Sequence, residues 1–382
     1  MSAPTFRWLP ERHLGVAATL SHADELIGQI SDHLFEYMAR EGGPVGLREV
    51  LVGPTSQAVV DRVAPIPRKI PLLVADALVS LRAAVEHTMF TEAEFLNGGP
   101  LDEKAARSIE MPANLTYEEF EKWTNNRSRR GPDSLRVGGE LLRRVKGLQP
   151  FQRQVAPRLH PLARLVLHTN HAKHRTPAVT AVRLPAVIRE DEKVHSVRDL
   201  PPRAEEPLRV GEVIAEVPVG KRVPITLFPT VGINRPGTDE WPVLMHELDE
   251  IAYWIRTQAV PRLITGSEPP ESPLPPRYEI SIGHLDERLA ISMGSTTSAA
   301  ERNKQRLGAA SARNDLVDLI YGMPDAPDRE KISAWLEKLT DEEIIDRISR
   351  LSANHSYDPN IIRSNLEALQ ELRNEAVAFT NE

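Results

Sequence analysis

The chain has 382 residues, 41% of them hydrophobic and 26% charged, a balance that belongs to folded globular proteins rather than to disordered or membrane-embedded ones. It contains no cysteine, which excludes structural disulfides, thiol nucleophiles, iron–sulfur clusters and cysteine-ligated zinc. The formal charge of −7 gives no global attraction to nucleic acid and leaves any such binding to a local basic surface.

The opening MSAPTFRWLPERHLG lacks the positive-then-apolar layout of a secretory signal, and no run approaches the roughly 20 apolar residues of a bilayer-spanning helix. The expectation is a cytoplasmic protein without membrane contact. The length favours more than one compact unit.

From Ser21 the spacing of Leu26, Ile27, Ile30, Leu34 and Met38 predicts an amphipathic helix, capped by the serine and ended by Gly42-Gly43-Pro44. GLREVLVG and SQAVVDRVAP then alternate around a Gly-Pro turn as a hairpin does. Pro71 reads as the first turn of a long Ala- and Leu-rich helix reaching about Leu96. A loop with a short extended piece, SIEMP, is expected from Asn97 to Asn114. Thr116 and Glu119 form a capping box for the next helix. SRRGPD supplies a turn, Leu135 to Leu148 predicts another helix, and Pro161 opens a helix that ends before Pro177.

Beyond Pro177 the Val- and Ile-rich pieces AVTAVRLPAVI, RVGEVIAEVPV and VPITLFPTVGI, broken by Pro and Gly, predict a small sheet of edge or irregular strands. Helical spacing returns through Leu244, Leu248, Ile251 and Ile255. GSEPPESPLPP reads as an extended linker and the best boundary in the chain. A charged helical tail follows, with LSANHSYDPN as a polar turn before its last helix. The resulting expectation is a mostly helical α+β protein. Residues 1–69 form a helix and hairpin, 70–177 a helical bundle, 178–266 a small mixed β/α region, 267–277 the linker, and 278–382 the helical C-terminal region.

Two constellations carry candidate chemistry. Arg82 and His87 stand in an R-x-x-x-x-H spacing on the long helix. Imidazole moves protons near neutral pH and guanidinium stabilises phosphate charge, so the pair suits a phosphodiester. Five residues are about 140° apart on a helix, so the two flank an interface rather than share a line. Asp76 and Ser80 lie nearly in line with His87 as a polar stripe on an otherwise apolar helix. The bland alternative pairs Arg82 with Glu86 one turn on, and the same spacing recurs at Arg350 and His355.

The second constellation is HTNHAKHR. Neighbouring pairs among His168, His171 and His174 are spaced to share a metal, but all three together are carried around the helix by about 60° per step. Asn170, Lys173, His174 and Arg175 more naturally contact a phosphate or RNA, although cations at a helix C-terminus also simply suit its dipole. HELDE, from His246 to Glu250, holds a glutamate where a zinc-protease helix needs its second histidine. No P-loop, glycine-rich dinucleotide fingerprint or G-x-S-x-G elbow occurs. No cofactor is expected.

IPLLVADALVSLRAAVEHTMF, followed by SIEMP, GLQPFQ and HPLARLVLHTNHAKHR, resembles a class of uncharacterised bacterial proteins carrying LRSALDH-like and LNNxxKHR-like helices over roughly Ile70 to Val187. The same long helix resembles the signature of HEPN-type helical bundles. Their R-x-x-x-x-H motifs meet at a dimer interface in metal-independent ribonucleases, though Ala83 stands where such ribonucleases usually carry a polar residue. What the resemblance implies is a homodimeric bundle that cleaves or binds RNA, with Arg82 and His87 as the catalytic pair. The residues Asn170, Lys173, His174 and Arg175 would bind substrate, with Asp76 and Ser80 supporting. The alternative expectation is a non-enzymatic interaction protein whose bundle and C-terminal helices dock a protein partner.

Overall fold

The computed structural model describes residues 6–127, 131–191, 200, 203–266, 270, 272–352 and 358–380. The protein is α+β and mostly helical, and it divides into two compact units, Met1–Ala300 and Glu301–Glu382.

The first unit is organised around α1 (Leu14–Met38) and α2 (Lys69–Leu96). The first helix starts seven residues before Ser21, because Gly15 falls in its first turn and LGVAATL continues the apolar stripe through Val16, Ala17 and Leu20. Ser21 is therefore a buried interior residue rather than a cap, and its Oγ accepts the Tyr278 N–H at 3.1 Å. Helix α2 packs against α1 and against three later helices. Its Leu73, Val74, Ala77, Leu78, Leu81, Ala84, Val85 and Met89 are all buried. Each large apolar side chain so buried contributes about 1.5–3 kcal/mol relative to exposure, which makes α2 the mechanical centre of the unit.

Between these helices, β1 (Val45–Val52) and β2 (Thr55–Val63) form the expected hairpin, with Val52 opposite Thr55. Gly53 sits at φ +58°, the positive region that the first position of a two-residue hairpin turn demands. After α2 the chain makes a short helix, α3 (Glu103–Ala106), inside the segment expected as loop. Next comes α4 (Tyr117–Arg127), whose capping box is present as expected. Thr116 Oγ1 accepts the Glu119 N–H at 3.2 Å, and Glu119 Oε2 accepts the Thr116 N–H at 3.3 Å.

The helix expected from Leu135 is shorter. A 3-10 turn spans Asp133–Leu135, Gly138 takes φ +87°, and only Glu140–Gly147 is helical, as α5. The Gly138-Gly139 pair is the break that apolar spacing alone passes over. Residues 128–130 of the expected SRRGPD turn lie outside the described residues. Helix α6 (Pro161–His174) comes next, with Pro161 in its first turn and the His160 Nδ1 accepting the Leu162 N–H at 3.2 Å.

Two strands of the β-rich stretch form a small sheet of their own, as expected, and the third joins another sheet. Strand β3 (Thr180–Arg189) pairs antiparallel with β5 (Ile225–Ile233), whereas β4 (Val213–Pro218) pairs with β2 and so extends the N-terminal hairpin into a three-stranded sheet ordered β1-β2-β4. This long-range pairing leaves no mark in local periodicity. The next helix runs as α7 (Leu244–Trp254) and α8 (Val260–Thr265), joined through a π turn at Ile255–Ala259. The π turn falls just before Pro261, which cannot supply an N–H to a regular ladder.

Of the expected Pro-rich linker, residues 267–269 and 271 lie outside the described residues. The chain from Ser272 onward packs into the first unit instead of leaving it. Trp8 Nε1 donates to the Ser272 carbonyl at 3.1 Å, Leu274 is 1% exposed, and Tyr278 is buried. Helix α9 (Glu287–Ser292) also belongs here, and the division falls at 300/301, early in α10 (Ala299–Tyr321).

The second unit is helical as expected. The rest of α10 combines with α11 (Arg329–Lys338), α12 (Asp341–Ser349) and α13 (Pro359–Thr380) around Leu316, Ile320, Ile332, Trp335, Leu336, Ile344 and Leu372. Residues 353–357, which include His355 and most of the expected polar turn, lie outside the described residues.

Candidate functional site

Arg82 is buried, 8% exposed at its side chain, and reaches from α2 onto α6. Its Nη1 donates to Thr169 Oγ1 at 2.9 Å and to Asn170 Oδ1 at 2.7 Å. Its Nε donates to Glu86 Oε1 at 2.8 Å and its Nη2 to Glu110 Oε1 at 3.4 Å. One guanidinium therefore ties the R-x-x-x-x-H helix to the N-x-x-K-H-R helix. The ion pair with Glu86 also forms.

Asn170 is exposed on its other side and is the last α6 residue in contact with this network. Beyond it Lys173, His174 and Arg175 are exposed, His171 is half-buried, and none of the four has a side-chain hydrogen bond or ion pair among the described residues. They sit at the negative end of the α6 dipole, which favours cations there. Immediately past Arg175, Thr176–Val182 line a cleft of about 740 Å³ whose other wall is Val63–Ile66, Arg68, Pro71 and Leu72.

His87 is exposed and free of side-chain partners among the described residues, and helix geometry turns it about 140° from Arg82. Asp76 is exposed and Ser80 half-buried, and neither is among the partners of Arg82. The structure thus brings Arg82 and Asn170 into direct contact, places Lys173, His174 and Arg175 one turn further on, and leaves His87 with Asp76 and Ser80 on the solvent face of α2.

The first half of α6 is built differently. Arg164 Nη1 donates to Glu247 and to Glu250, both at 2.6 Å, and the His168 Nε2 lies 3.2 Å from Glu247 Oε1. Arg235 adds two hydrogen bonds to Glu247, at 3.0 and 2.7 Å, and one to Glu240 at 2.7 Å. Glu247 is 1% exposed. Burial opposes its charge, but the hydrogen bonds from His168 and Arg235 and the two guanidiniums outweigh this and hold its carboxyl well below the usual range.

A second buried knot fixes the far end of α2. Glu92 accepts from Arg12 at 2.7 Å and from Arg144 at 3.0 Å, and lies 2.7 Å from the His13 Nε2. Burial raises its pKa, and His13 and Arg12 outweigh that and lower it. At the start of α6, burial is the main force pushing the His160 imidazole down to about 4, helped by Arg153 and Arg164. It is therefore neutral at pH 7 and free to cap the helix.

Sequence reasoning missed Thr169 and Glu110 beside Arg82, and the whole Glu247 network. Arg164 and His168, four apart and thus on one helix face, were its only local sign; Arg235 and Glu247 come from distant segments. Among the described residues no three of His, Asp and Glu gather to hold a metal ion, and no helix is long and apolar enough to cross a membrane. The fold and site define a mostly helical α+β protein with an interhelical arginine at the edge of an exposed basic helix end. No protein-family model matches the chain, and neither a curated protein nor a solved structure matches it.

Proposed function

We propose that this protein binds RNA across the junction of α2 and α6, with Lys173, His174 and Arg175 contacting phosphates and Asn170 fixed beside them by Arg82. The observation that carries this reading is the run of exposed basic residues at the C-terminal end of α6, unpartnered among the described residues, next to an asparagine held by the 2.7 Å bond from Arg82. Cations without acidic partners attract a polyanion even on a chain of net negative charge, because the field that matters at a groove is local.

Arg82 itself is engaged by Glu86 and Glu110, so its first role is to position Asn170 and join the helices. Cleavage is the stronger form of the proposal. His87 would serve as general acid and base, with a second copy across the exposed face of α2 supplying the other half of a composite cleft. The same carboxylates favour a second reading, a non-enzymatic protein that docks a protein partner, since they already neutralise the guanidinium a phosphate would need.

The test is incubation of purified protein with a mixed pool of single-stranded and structured RNA in chelator. Wild type is compared with Arg82→Ala/His87→Ala. Binding with cleavage lost in the double variant and products ending in cyclic phosphate supports a metal-independent ribonuclease. Binding without cleavage supports the binding function alone. No binding by wild type excludes both and leaves the protein-docking reading.

A further inference from the structure

A second cleft in the first unit shares no lining residue with the arginine junction. The β1-β2-β4 sheet carries on one face Leu47 and Glu49 of β1, Ser56 and Ala58 of β2, and Ala215 and Val217 of β4. The register sets Glu49 opposite Ala58 and Ala58 opposite Ala215, while Ser56 faces Val217. The segment 221–225 crosses this face before entering β5. Between the two is a cleft of about 490 Å³, lined by these residues together with Arg48, Lys221, Arg222, Val223, Pro224 and Ile225. That volume lies in the range of roughly 300–1,000 Å³ typical of small-molecule pockets.

The polarity of the lining is uneven. Its floor is apolar or small, and its charged residues are three cations and one acid. The acid, Glu49, accepts the hydroxyl of Ser56, which is buried. Lys221 is paired with Asp191 at 2.6 Å. Arg48 and Arg222 are exposed and have no side-chain partner among the described residues, unlike neighbouring Arg62, Arg189 and Arg203, which all bond to acids or carbonyls. Arg48 lies between Leu47 and Glu49 in a regular part of β1 and so projects from the opposite face of the sheet, which leaves Arg222 as the guanidinium at the trough. A guanidinium without a counter-charge among the described residues, set on an apolar trough, complements one kind of molecule, an aliphatic body ending in an anionic group. Arginine takes carboxylate and phosphate in the same forked geometry. The apolar track also continues past the cleft. Leu51, on the same sheet face as Glu49, is 66% exposed, and Val219 beside the hairpin turn is 53% exposed.

We infer that the cleft between the β1-β2-β4 sheet and residues 221–225 is a binding site for an amphiphilic anion, a carboxylate or phosphate monoester on an unbranched aliphatic chain, with Arg222 meeting its head and Ala58, Ala215 and Val217 its chain.

The test is calorimetric titration of the full-length protein with decanoate, decyl phosphate and decanol, each below its aggregation concentration. Saturable one-site binding of at least one anion is expected, with the uncharged alcohol at least tenfold weaker. The relative affinity of the two anions tells which head the site takes. Arg222→Glu changes one exposed residue and is expected to weaken anion binding at least tenfold with an unchanged circular dichroism spectrum. Ala215→Trp fills the trough and is expected to abolish binding of all three; if it unfolds the protein, Ala215→Leu gives the graded version, a loss of severalfold. No saturable binding of either anion, equal binding of the alcohol, or undiminished binding by the arginine variant would each overturn the inference.

Discussion

The two ends of α6 carry the same kinds of residue and do opposite things with them. Near its start, Arg164 and His168 are buried and every charge faces a counter-charge: Glu247 lies among Arg164, His168 and Arg235. Near its end, Lys173, His174 and Arg175 are exposed and face nothing among the described residues. Arg82 marks the border, holding Thr169 on one side and Asn170 on the other. A cationic residue in a sequence is therefore not evidence of a binding site until its partners are known. Saturated charge builds the fold; unsaturated charge is left for something else.

The largest effect expected from breaking this contrast is at Glu247. Replacing it by Gln leaves buried Arg164 and half-buried Arg235 without their shared counter-charge, though Glu250 and Glu240 still pair with them, and costs at most about 3–5 kcal/mol. Urea unfolding measures it, and a loss below about 1 kcal/mol would mean the network is not a closed structural knot. Arg82→Ala should cost less, about 1–3 kcal/mol, because Glu86 and Glu110 can turn to water while Thr169 loses a buried donor. A change in stability near zero would show that the helices do not depend on this tie.

Acidification sharpens the contrast further. Glu247 and Glu92 have folded pKa values below their unfolded ones. The stability they supply is present above the ordinary carboxylate range and is lost as the pH falls through it toward their folded values. His160 acts in the same direction by the opposite chemistry. Its folded pKa of about 4 lies below the ordinary 6.5, so between those values the unfolded chain binds a proton that the folded one refuses, and stability falls as pH drops. His160→Asn keeps a side chain able to cap α6 and removes the titration. Its stability profile between pH 6.5 and 4 should flatten by about one proton relative to wild type, read from urea midpoints at successive pH values. An unchanged slope would mean that His160 protonates freely in the folded state.

The smallest effect on stability is expected at the open end. Lys173→Glu/Arg175→Glu should lower the unfolding free energy by no more than about 1 kcal/mol, the cost of carboxylates at the negative end of the α6 dipole, since neither side chain has a partner to lose among the described residues.

Much of the fold is legible because local rules decide it. The Thr116 capping box, the Gly53-Pro54 hairpin and the Pro161 helix start each depend on residues within a turn of one another. The features that escape depend on distance. β4 joins β2 across more than a hundred residues, and Glu247 meets Arg164 from another helix. Ser21 reads as a cap only when the apolar stripe before it is not traced back to Leu14. At the candidate site the residue types are visible in the sequence and their states are not. Spacing alone cannot tell that Arg82 is buried with four partners while His87 is exposed with none among the described residues, since both stand on one nearly continuous apolar helix.

The central claim, that the open end of α6 binds RNA and the closed end does not, is tested most directly by the salt dependence of RNA affinity. Binding is followed by fluorescence anisotropy for wild type, Lys173→Glu/Arg175→Glu, and the control Lys331→Glu/Lys338→Glu on the second unit. The account predicts that the α6 variant binds at least tenfold more weakly, with the slope of log affinity against log salt reduced by about 1 for each lost phosphate contact, while the control matches wild type. Equal losses in both variants, or an unchanged slope in the α6 variant, would contradict it.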